Sequence, residues 1–209
     1  MLNWDTITRT QRNWNYDKPV SDEDARLIVD RVRSTLTKQN IPYYDVYYTV
    51  NPEHIQAIFE ISKLESNTQG QLQAPMLVWF AHDKDYARNY IDSGGNNYGE
   101  SKLISLGDKK QKYMYFSFGL AVAWTITAAV DLGYRAGASQ CFDNEKLVKY
   151  LNDNTPYTFG DHNKLSEVMI GIGHPSNNPR LEKHYALLDE KGIKRYCHGF
   201  PNVKRKFEV

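Results

Sequence analysis

The sequence YMYFSFGLAVAWTITAAVDL fills positions 113–132 and is the most apolar stretch of the chain. A stretch of this length could cross a membrane. However, Ser117, Thr125, Thr127 and four alanines are typical of a helix that protein surrounds, and Asp131 is the only charged residue. The stretch therefore predicts a central core helix. Because small side chains let neighbouring backbones approach closely, the same helix is a candidate dimer interface.

Three shorter stretches have the composition of strands. DVYYTV at 45–50 is rich in β-branched and aromatic residues, which favour strands. MLVWFA at 76–81 and the run VMIGIG within 167–173 are continuous apolar runs of strand length, which indicates strands buried on both faces. A sheet buried on both faces must be covered by helices.

Three further segments have helical patterns. Ser21 can cap a helix over 21–38, whose apolar stripe consists of Ala25, Ile28, Val29, Val32 and Leu36. Pro52 suits the first position of a second helix, and residues 144–152 form a polar third one. Since no repeat or linker interrupts the sequence, we expect residues 1–209 to form a single domain.

The composition limits the partners that the chain can bind. Of its 209 residues, 41% are apolar and 24% are charged, which is ordinary for a globular protein. A formal net charge of +1 gives no broad attraction to nucleic acid or to anionic lipid. Phosphate recognition is therefore expected to be local, as for a small phosphorylated cofactor. The two cysteines and the polar N-terminal residues predict a cytoplasmic protein.

Metal and nucleophile chemistry have little support in the sequence. None of the six histidines forms a His-x-x-x-His pair, and Cys141 is far from Cys197 in the chain. Ser139 lies in GASQC, which lacks the second glycine of a nucleophile elbow, and Cys141 is expected to be buried. Gly171 and Gly173 imitate a dinucleotide fingerprint, but its third glycine is missing. No site of these classes is predicted.

A polar cluster near the N-terminus reads RTQRNW at positions 9–14. The planar guanidinium group of arginine matches two phosphate oxygens at once, although two arginines alone are commonly a solvated surface pair. Other polar residues fall at the ends of predicted elements, at 37–40, at Asn67 and at 138–140. Amides, hydroxyls and exposed backbone groups suit a ring with alternating donors and acceptors, such as isoalloxazine.

Taken in this order, these segments resemble the nitroreductase family of FMN-dependent oxidoreductases over nearly the whole chain. RTQRNW resembles the Arg-Ser-x-Arg-x-Phe start of that family, which binds the FMN phosphate; Thr10 replaces the serine and Trp14 the phenylalanine. The resemblance implies that the cofactor is bound here by Arg9, Thr10, Gln11 and Arg12.

Two further segments resemble the parts of the family that contact the flavin ring. LTKQN at 36–40 stands where the family has Pro-Ser-x-x-Asn, which implies flavin-side positions for Thr37, Gln39 and Asn40. Asn67 is similar to a family asparagine that meets the ring. The lysine often found three residues later is Gly70 here, so this contact is expected to be lost.

The last two segments follow the core helix and close the chain. GYRAGAS at 133–139 resembles a Gly-Leu-Gly-Ser turn, which implies cofactor contacts from Ala138, Ser139 and Gln140. In the basic C-terminal tail, Arg205 is the expected phosphate ligand, with Lys204 and Lys206 as alternatives.

The resemblance implies an α+β fold with a mixed central sheet flanked by helices. It also implies a homodimer with an exchanged C-terminal tail and FMN at the interface. NADH or NADPH would deliver hydride to the flavin N5, and an electron-poor acceptor, nitroaromatic- or quinone-like, would take the electrons. Two alternatives stay open: a relative with other flavin chemistry, such as dehalogenation or flavin fragmentation, and a flavin-binding protein without turnover. Neither nucleic acid, a membrane nor a metal is expected as a partner.

Overall fold

A computed structural model describes residues 10–37, 44–62, 70–83, 109–156 and 163–176. The chain divides into two compact units after Pro175, and the elements below all belong to the first. In chain order they are α1 (Asp22–Arg33), β1 (Asp45–Thr49), α2 (Pro52–Ser62), a 3₁₀ helix (Gly70–Gln73), β2 (Met76–Asp83), α3 (Lys109–Asp131), β3 (Arg135–Ser139), α4 (Asn144–Asn154) and β4 (Asn163–Gly173). The prediction of a single domain over 1–209 includes the second unit and stays a prediction.

The four strands form one sheet in the order β1-β2-β4-β3. Every pairing among these described strands is antiparallel. β2 and β4 are the inner strands, and the apolar residues of β2 from Met76 to Ala81 are all buried. Helices together with an antiparallel sheet confirm the α+β class, and the burial of β2 confirms a strand covered on both faces. The mixed sheet that the resemblance implies needs a parallel pairing, which the described strands do not contain.

One face of the sheet, the helix face, is covered by α1 and α3. Alternate strand residues point to this side, as the period of two in a strand requires. Its buried cluster consists of Val20, Ala25, Ile28, Val29, Val32, Met76, Val78, Phe80, Ala121, Ala128, Ala129, Tyr134, Ile170 and Ile172. All four residues of the predicted stripe that lie within α1 are therefore core residues.

The opposite face, the arm face, is covered by α2, α4, the 3₁₀ helix and the residues before α1. Its buried cluster consists of Trp14, Ile55, Ile58, Phe59, Leu72, Ala74, Leu77, Trp79, Ala81, Leu147, Leu151 and Met169. This face combines two regular helices with irregular backbone, and the irregular part includes three of the predicted cofactor residues, Thr10, Gln11 and Arg12.

Helix α1 begins where the sequence predicts and ends earlier. The Ser21 hydroxyl accepts a hydrogen bond from the backbone N–H of Asp24 at 3.0 Å, which satisfies one of the free donors of the first turn. The helix ends at Arg33 and not at position 38, because the Ser34 N–H turns back to the Arg31 carbonyl at 3.2 Å. Thr37 consequently lies outside the helix.

Helix α3 is the predicted core helix, but one side of it is open. Ala121, Thr125 and Ala128 are buried against the helix face. Phe116 and Trp124, on the other side, are 58% and 49% exposed, so the expectation of protein packing on all sides is wrong for this chain alone. Among the described helices, none is both long and apolar enough to cross a membrane.

Candidate functional site

Residues 10–16, here named the arm, run along the outer edge of β3 and past the end of β4. The Gln11 N–H donates to the Ala136 carbonyl at 3.0 Å, and the Asn15 N–H donates to the His174 carbonyl at 2.9 Å. Trp14 forms an isolated antiparallel bridge with Pro175. Backbone hydrogen bonds from two strands therefore fix the path of the arm.

Two aromatic side chains tie the arm to the 3₁₀ helix. The buried Trp14 donates its indole N–H to the Gly70 carbonyl at 2.7 Å, a bond that a phenylalanine cannot make. The Tyr16 hydroxyl donates to the Gln73 carbonyl at 3.0 Å, and partial burial raises the pKa of this phenol. The arm is thus held between the sheet edge and the 3₁₀ helix.

A pair of glycines forms the floor beneath these segments. Gly137 of β3 and Gly171 of β4 are register partners. A Cβ atom on Gly137 would lie 2.1 Å from the Gln11 carbonyl oxygen, and one on Gly171 would lie 1.9 Å from the Gln71 carbonyl oxygen. Since real Cβ atoms do not approach so closely, only glycine lets the arm and the 3₁₀ helix lie directly on the sheet.

Gly70, at the start of the 3₁₀ helix, also lies against the arm. A Cβ atom there would lie 2.8 Å from the carbonyl oxygen of Arg12, so the present backbone leaves no room for a side chain. This explains in steric terms why the position resembling a family lysine is a glycine in this chain. The loss of that side chain goes together with close backbone contact between Gly70 and Arg12.

The outer edge of β3 contributes backbone groups. In an antiparallel strand, alternate residues point both backbone groups to the same edge. The carbonyls of Ala136 and Ala138 accept hydrogen bonds from outside the sheet, from the Gln11 N–H at 3.0 Å and from the Gln71 amide at 3.4 Å. The N–H of Ala138 faces the same way.

Two of the predicted segments therefore meet at this strand. Gln11, between Thr10 and Arg12, contacts Ala136 and Gly137, while Ala138 and Ser139 follow in the same strand and Gln140 comes directly after it. Ala138 and Ser139 are in β3, which corrects the expectation of a turn over 133–139. The guanidinium of Arg12 is exposed, and within the described ranges no carboxylate forms an ion pair with it. This is the state expected of a group available to an anion.

The remaining predicted residues are not brought to this edge. Thr37 is half-buried beyond α1, and none of the described hydrogen bonds joins it to the arm. Five predicted residues lie outside the described ranges: Arg9, Gln39, Asn40, Asn67 and Arg205. Their assignment to a cofactor site stays a prediction.

Two features of the site were missed by the reasoning from sequence. Gln71 is buried and its amide bonds to β3 beside the predicted cofactor residues. Cys141, expected to be buried, is exposed just beyond β3, and its N–H donates to the Ser139 hydroxyl at 3.3 Å. The sequence did contain one signal for the packing of Gln71, namely the glycines at 137 and 171. That these two glycines are register partners is visible only once the strands are aligned.

A second polar contact lies close to the arm at the start of β3. The buried Tyr134 donates its hydroxyl to the Asp24 carboxylate at 2.6 Å, and its ring centroid is 4.7 Å from that of His174. Burial and then the hydrogen bond to Asp24 raise the pKa of Tyr134 to about 12. His174 is the residue whose carbonyl accepts from Asn15, so this contact connects α1 to the arm.

No protein-family model matches the sequence, and no curated protein does either. Solved structures do. A nitroreductase family protein from Streptococcus pneumoniae TIGR4 is similar with a TM-score of 0.65 at 17% identity, covering 83% of this chain and 90% of the other. The chain has the nitroreductase-like fold. The expectation from the sequence motifs is thus confirmed at the level of the fold.

Two further similar structures carry names that mention FMN or a flavoprotein. A putative nitroreductase in complex with FMN, from Exiguobacterium sibiricum 255-15, has a TM-score of 0.63 at 13% identity and covers 85% of this chain and 90% of the other. A BluB-like flavoprotein from Clostridium difficile 630 has a TM-score of 0.61 at 20% identity, with coverages of 85% and 92%.

Proposed function

We propose that the protein is an FMN-dependent oxidoreductase that takes electrons from NADH or NADPH and passes them to an electron-poor small molecule, nitroaromatic- or quinone-like. The observation that carries the proposal is the arm. It is fixed by backbone bonds to Ala136 and His174, and it presents the exposed Arg12 next to Gln11 at the outer edge of β3. A cytoplasmic location is part of the same proposal.

The donors on the arm suit a phosphate group. Arg12 offers a planar fork of N–H donors, and Thr10 offers a hydroxyl and Gln11 an amide. The net charge of +1 makes recognition depend on these local groups and not on a broad field. Arg9 and Arg205 are proposed as the further phosphate ligands.

The edge of β3 suits the ring of the cofactor. The outward N–H of Ala138, with the groups of Ser139 and Gln140, offers donors for a ring that alternates donors and acceptors. Thr37, Gln39, Asn40 and Asn67 are proposed to complete the ring contacts. Bound FMN supplies the two-electron chemistry, while these residues bind it, orient it and stabilise negative charge on it.

A second copy of this chain is the proposed occupant of the open side of α3. From Tyr115 to Val130 this helix carries no charged residue, and its exposed side presents the aromatic rings of Tyr115, Phe116 and Trp124. An exposed apolar strip of this kind is typical of an interface. A homodimer would bury this strip, and FMN at its interface, which the family resemblance implies, is part of the same proposal.

The mass of the particle in solution tests the dimer. We expect sedimentation to give about twice the chain mass of 24.2 kDa, and we expect Phe116→Gln combined with Trp124→Gln to give a monomer. Leu27→Gln is the matched control, because Leu27 is an exposed apolar residue of α1 outside this strip. A wild-type monomer at micromolar concentration would contradict the dimer.

The absorbance spectrum of the purified protein tests the cofactor and the activity. A flavin spectrum that bleaches with NADH or NADPH supports the oxidoreductase. A flavin spectrum that does not bleach supports a binding protein without turnover, and oxygen uptake by reduced FMN without nitroaromatic reduction supports other flavin chemistry. A colourless protein that FMN cannot reconstitute contradicts the proposal.

Removing both arginines of the arm tests the phosphate assignment. Each charge-assisted hydrogen bond contributes about 1.5–3 kcal/mol, so Arg9→Ala with Arg12→Ala is expected to weaken FMN binding by at least about 100-fold and to leave the protein folded. Arg26→Ala with Arg33→Ala removes the same charge from the exposed side of α1 and serves as the control. Unchanged FMN retention in the arm variant would refute the assignment.

A further inference from the structure

We infer that Gly70 and Gly137 are positioning residues that set the place of the arm and thereby the preference of this chain for FMN over riboflavin. Riboflavin has the same ring as FMN and lacks the phosphate, so the preference measures the phosphate contacts alone. The inference rests on the proposed function and concerns two residues that do not themselves offer a side chain to the cofactor.

Gly137 fixes the height of the arm above the sheet. The space that its Cβ atom would fill is taken by the Gln11 carbonyl oxygen at 2.1 Å, with the Gln11 carbonyl carbon and Gln71 Cγ each at 3.1 Å. The closest of these atoms belongs to the backbone of the arm. The arm cannot rotate away freely, because the Gln11 N–H is bonded to Ala136, the residue before Gly137. A methyl group at 137 must therefore displace the arm itself.

Gly70 fixes the neighbouring residue of the arm. Its Cα approaches Arg12, whose carbonyl oxygen would lie 2.8 Å and whose Cβ would lie 3.3 Å from a Cβ atom on residue 70. The Gly70 carbonyl also accepts the indole N–H of Trp14 at 2.7 Å. Gly70 thus contacts the arm on both sides of Asn13, and the peptide of Arg12 is held against the 3₁₀ helix.

The two glycines act on consecutive residues of the arm, from β3 and from the 3₁₀ helix. The backbone of Gln11 and Arg12 is held between the two glycines. The point at which the exposed Arg12 side chain leaves the arm is therefore fixed. A displacement of about 1 Å is enough to disrupt an oriented set of contacts. Because the clash at Gly137 is closer than the clash at Gly70, alanine at 137 is the more disruptive change.

The test compares two dissociation constants, for FMN and for riboflavin, by titration of flavin fluorescence. In Gly137→Ala we expect the preference for FMN to fall by at least about tenfold while riboflavin binding changes by less than about threefold. Gly70→Ala is expected to show a smaller fall in the same direction. Ile28→Val removes one methyl group from the helix face and controls for lost stability, with the preference unchanged.

Amide hydrogen exchange reports the position of the arm without any flavin. In Gly137→Ala the N–H groups of Gln11 and Asn15 should lose protection, while the amides between β2 and β4 keep theirs. If Gly137→Ala does not fold, the same two measurements on Gly70→Ala decide the matter.

The outcomes separate this inference from the proposed function. A wild-type chain that prefers FMN, with folded glycine variants that keep the full preference, overturns the inference and leaves the function standing. A wild-type chain that binds neither flavin, or binds both equally, overturns the phosphate assignment and the inference with it.

Discussion

The two faces of the sheet are closed by different means. On the helix face, side chains of the sheet such as Phe80 pack with side chains of α1 and α3 such as Ile28, and these side chains fill the space between the backbones. On the arm face, the backbone of the arm and of the 3₁₀ helix lies directly on Gly137 and Gly171, where side chains are missing. The arm face also has its own side-chain cluster beneath α2 and α4. The difference therefore teaches that the side-chain clusters are sensitive to the removal of atoms, whereas the glycine floor is sensitive to their addition.

The same difference separates the residues that stabilise the fold from the residues that position Arg12. Burial of apolar area contributes roughly 25 cal/mol per Å², and the large fully buried side chains of the two clusters supply it. At Gly137 the arm meets β3 through backbone, and this contact fixes where the Arg12 side chain begins. We therefore expect variants of the helix face to change the free energy of unfolding, and variants of the glycine floor to change cofactor binding.

The largest effect on stability is expected from Phe80→Ala. Phe80 is fully buried, and its ring packs edge-on against Tyr44 with centroids 5.4 Å apart. Truncating a buried phenylalanine costs about 3–5 kcal/mol, which urea unfolding measures directly. The preference for FMN over riboflavin should stay at the wild-type value in the folded fraction. A fall in that preference would show that the two faces are not separable.

The helix face is the part of the fold that the sequence predicts well. Its elements follow from local patterns: the capped stripe of α1, the apolar run of α3 and the continuous runs of β2 and β4. Side chains at helical or strand spacing report which face is buried, so the pattern and the packing agree. The end of α1 was wrong because the turn at Ser34 depends on local backbone geometry and not on the apolar period.

The arm face is predicted only in part. Thr10 to Arg12 and Ala138 to Gln140 were found through the family resemblance, and the structure brings these two segments to one edge. Their docking was not predictable, because the contact between Gly137 and Gln11 joins residues far apart in sequence and leaves no side-chain pattern. The sequence also left open what covers α3, which was expected to be a helix packed all round and also a candidate dimer interface, since an apolar helix looks the same whether its cover is its own chain or a second one.

A substitution at Tyr134, which contacts both α1 and His174, is expected to have a smaller effect on stability than Phe80→Ala. Its hydroxyl bonds to Asp24 of α1, and its ring packs on His174, whose carbonyl holds Asn15 of the arm. Tyr134→Phe keeps the ring and removes the hydrogen bond. We expect a loss of about 1.5–3 kcal/mol at neutral pH, since a hydrogen bond to a charged group contributes this much.

The pH dependence of stability tells whether that bond is the cause. The pKa of Tyr134 rises from 10 to about 12 on folding, so its contribution to stability is fully present below pH 10 and is lost as the pH rises toward 12. In Tyr134→Phe this part of the alkaline loss should vanish, while Tyr44, whose pKa burial also raises to about 12, keeps its own part. Urea unfolding at pH 7, 9 and 11 measures both. Equal alkaline losses in the variant and the wild type would contradict the assignment.

Because the ring contact with His174 survives in Tyr134→Phe, the preference of this variant for FMN over riboflavin should fall by less than about threefold, below the effect of Gly137→Ala.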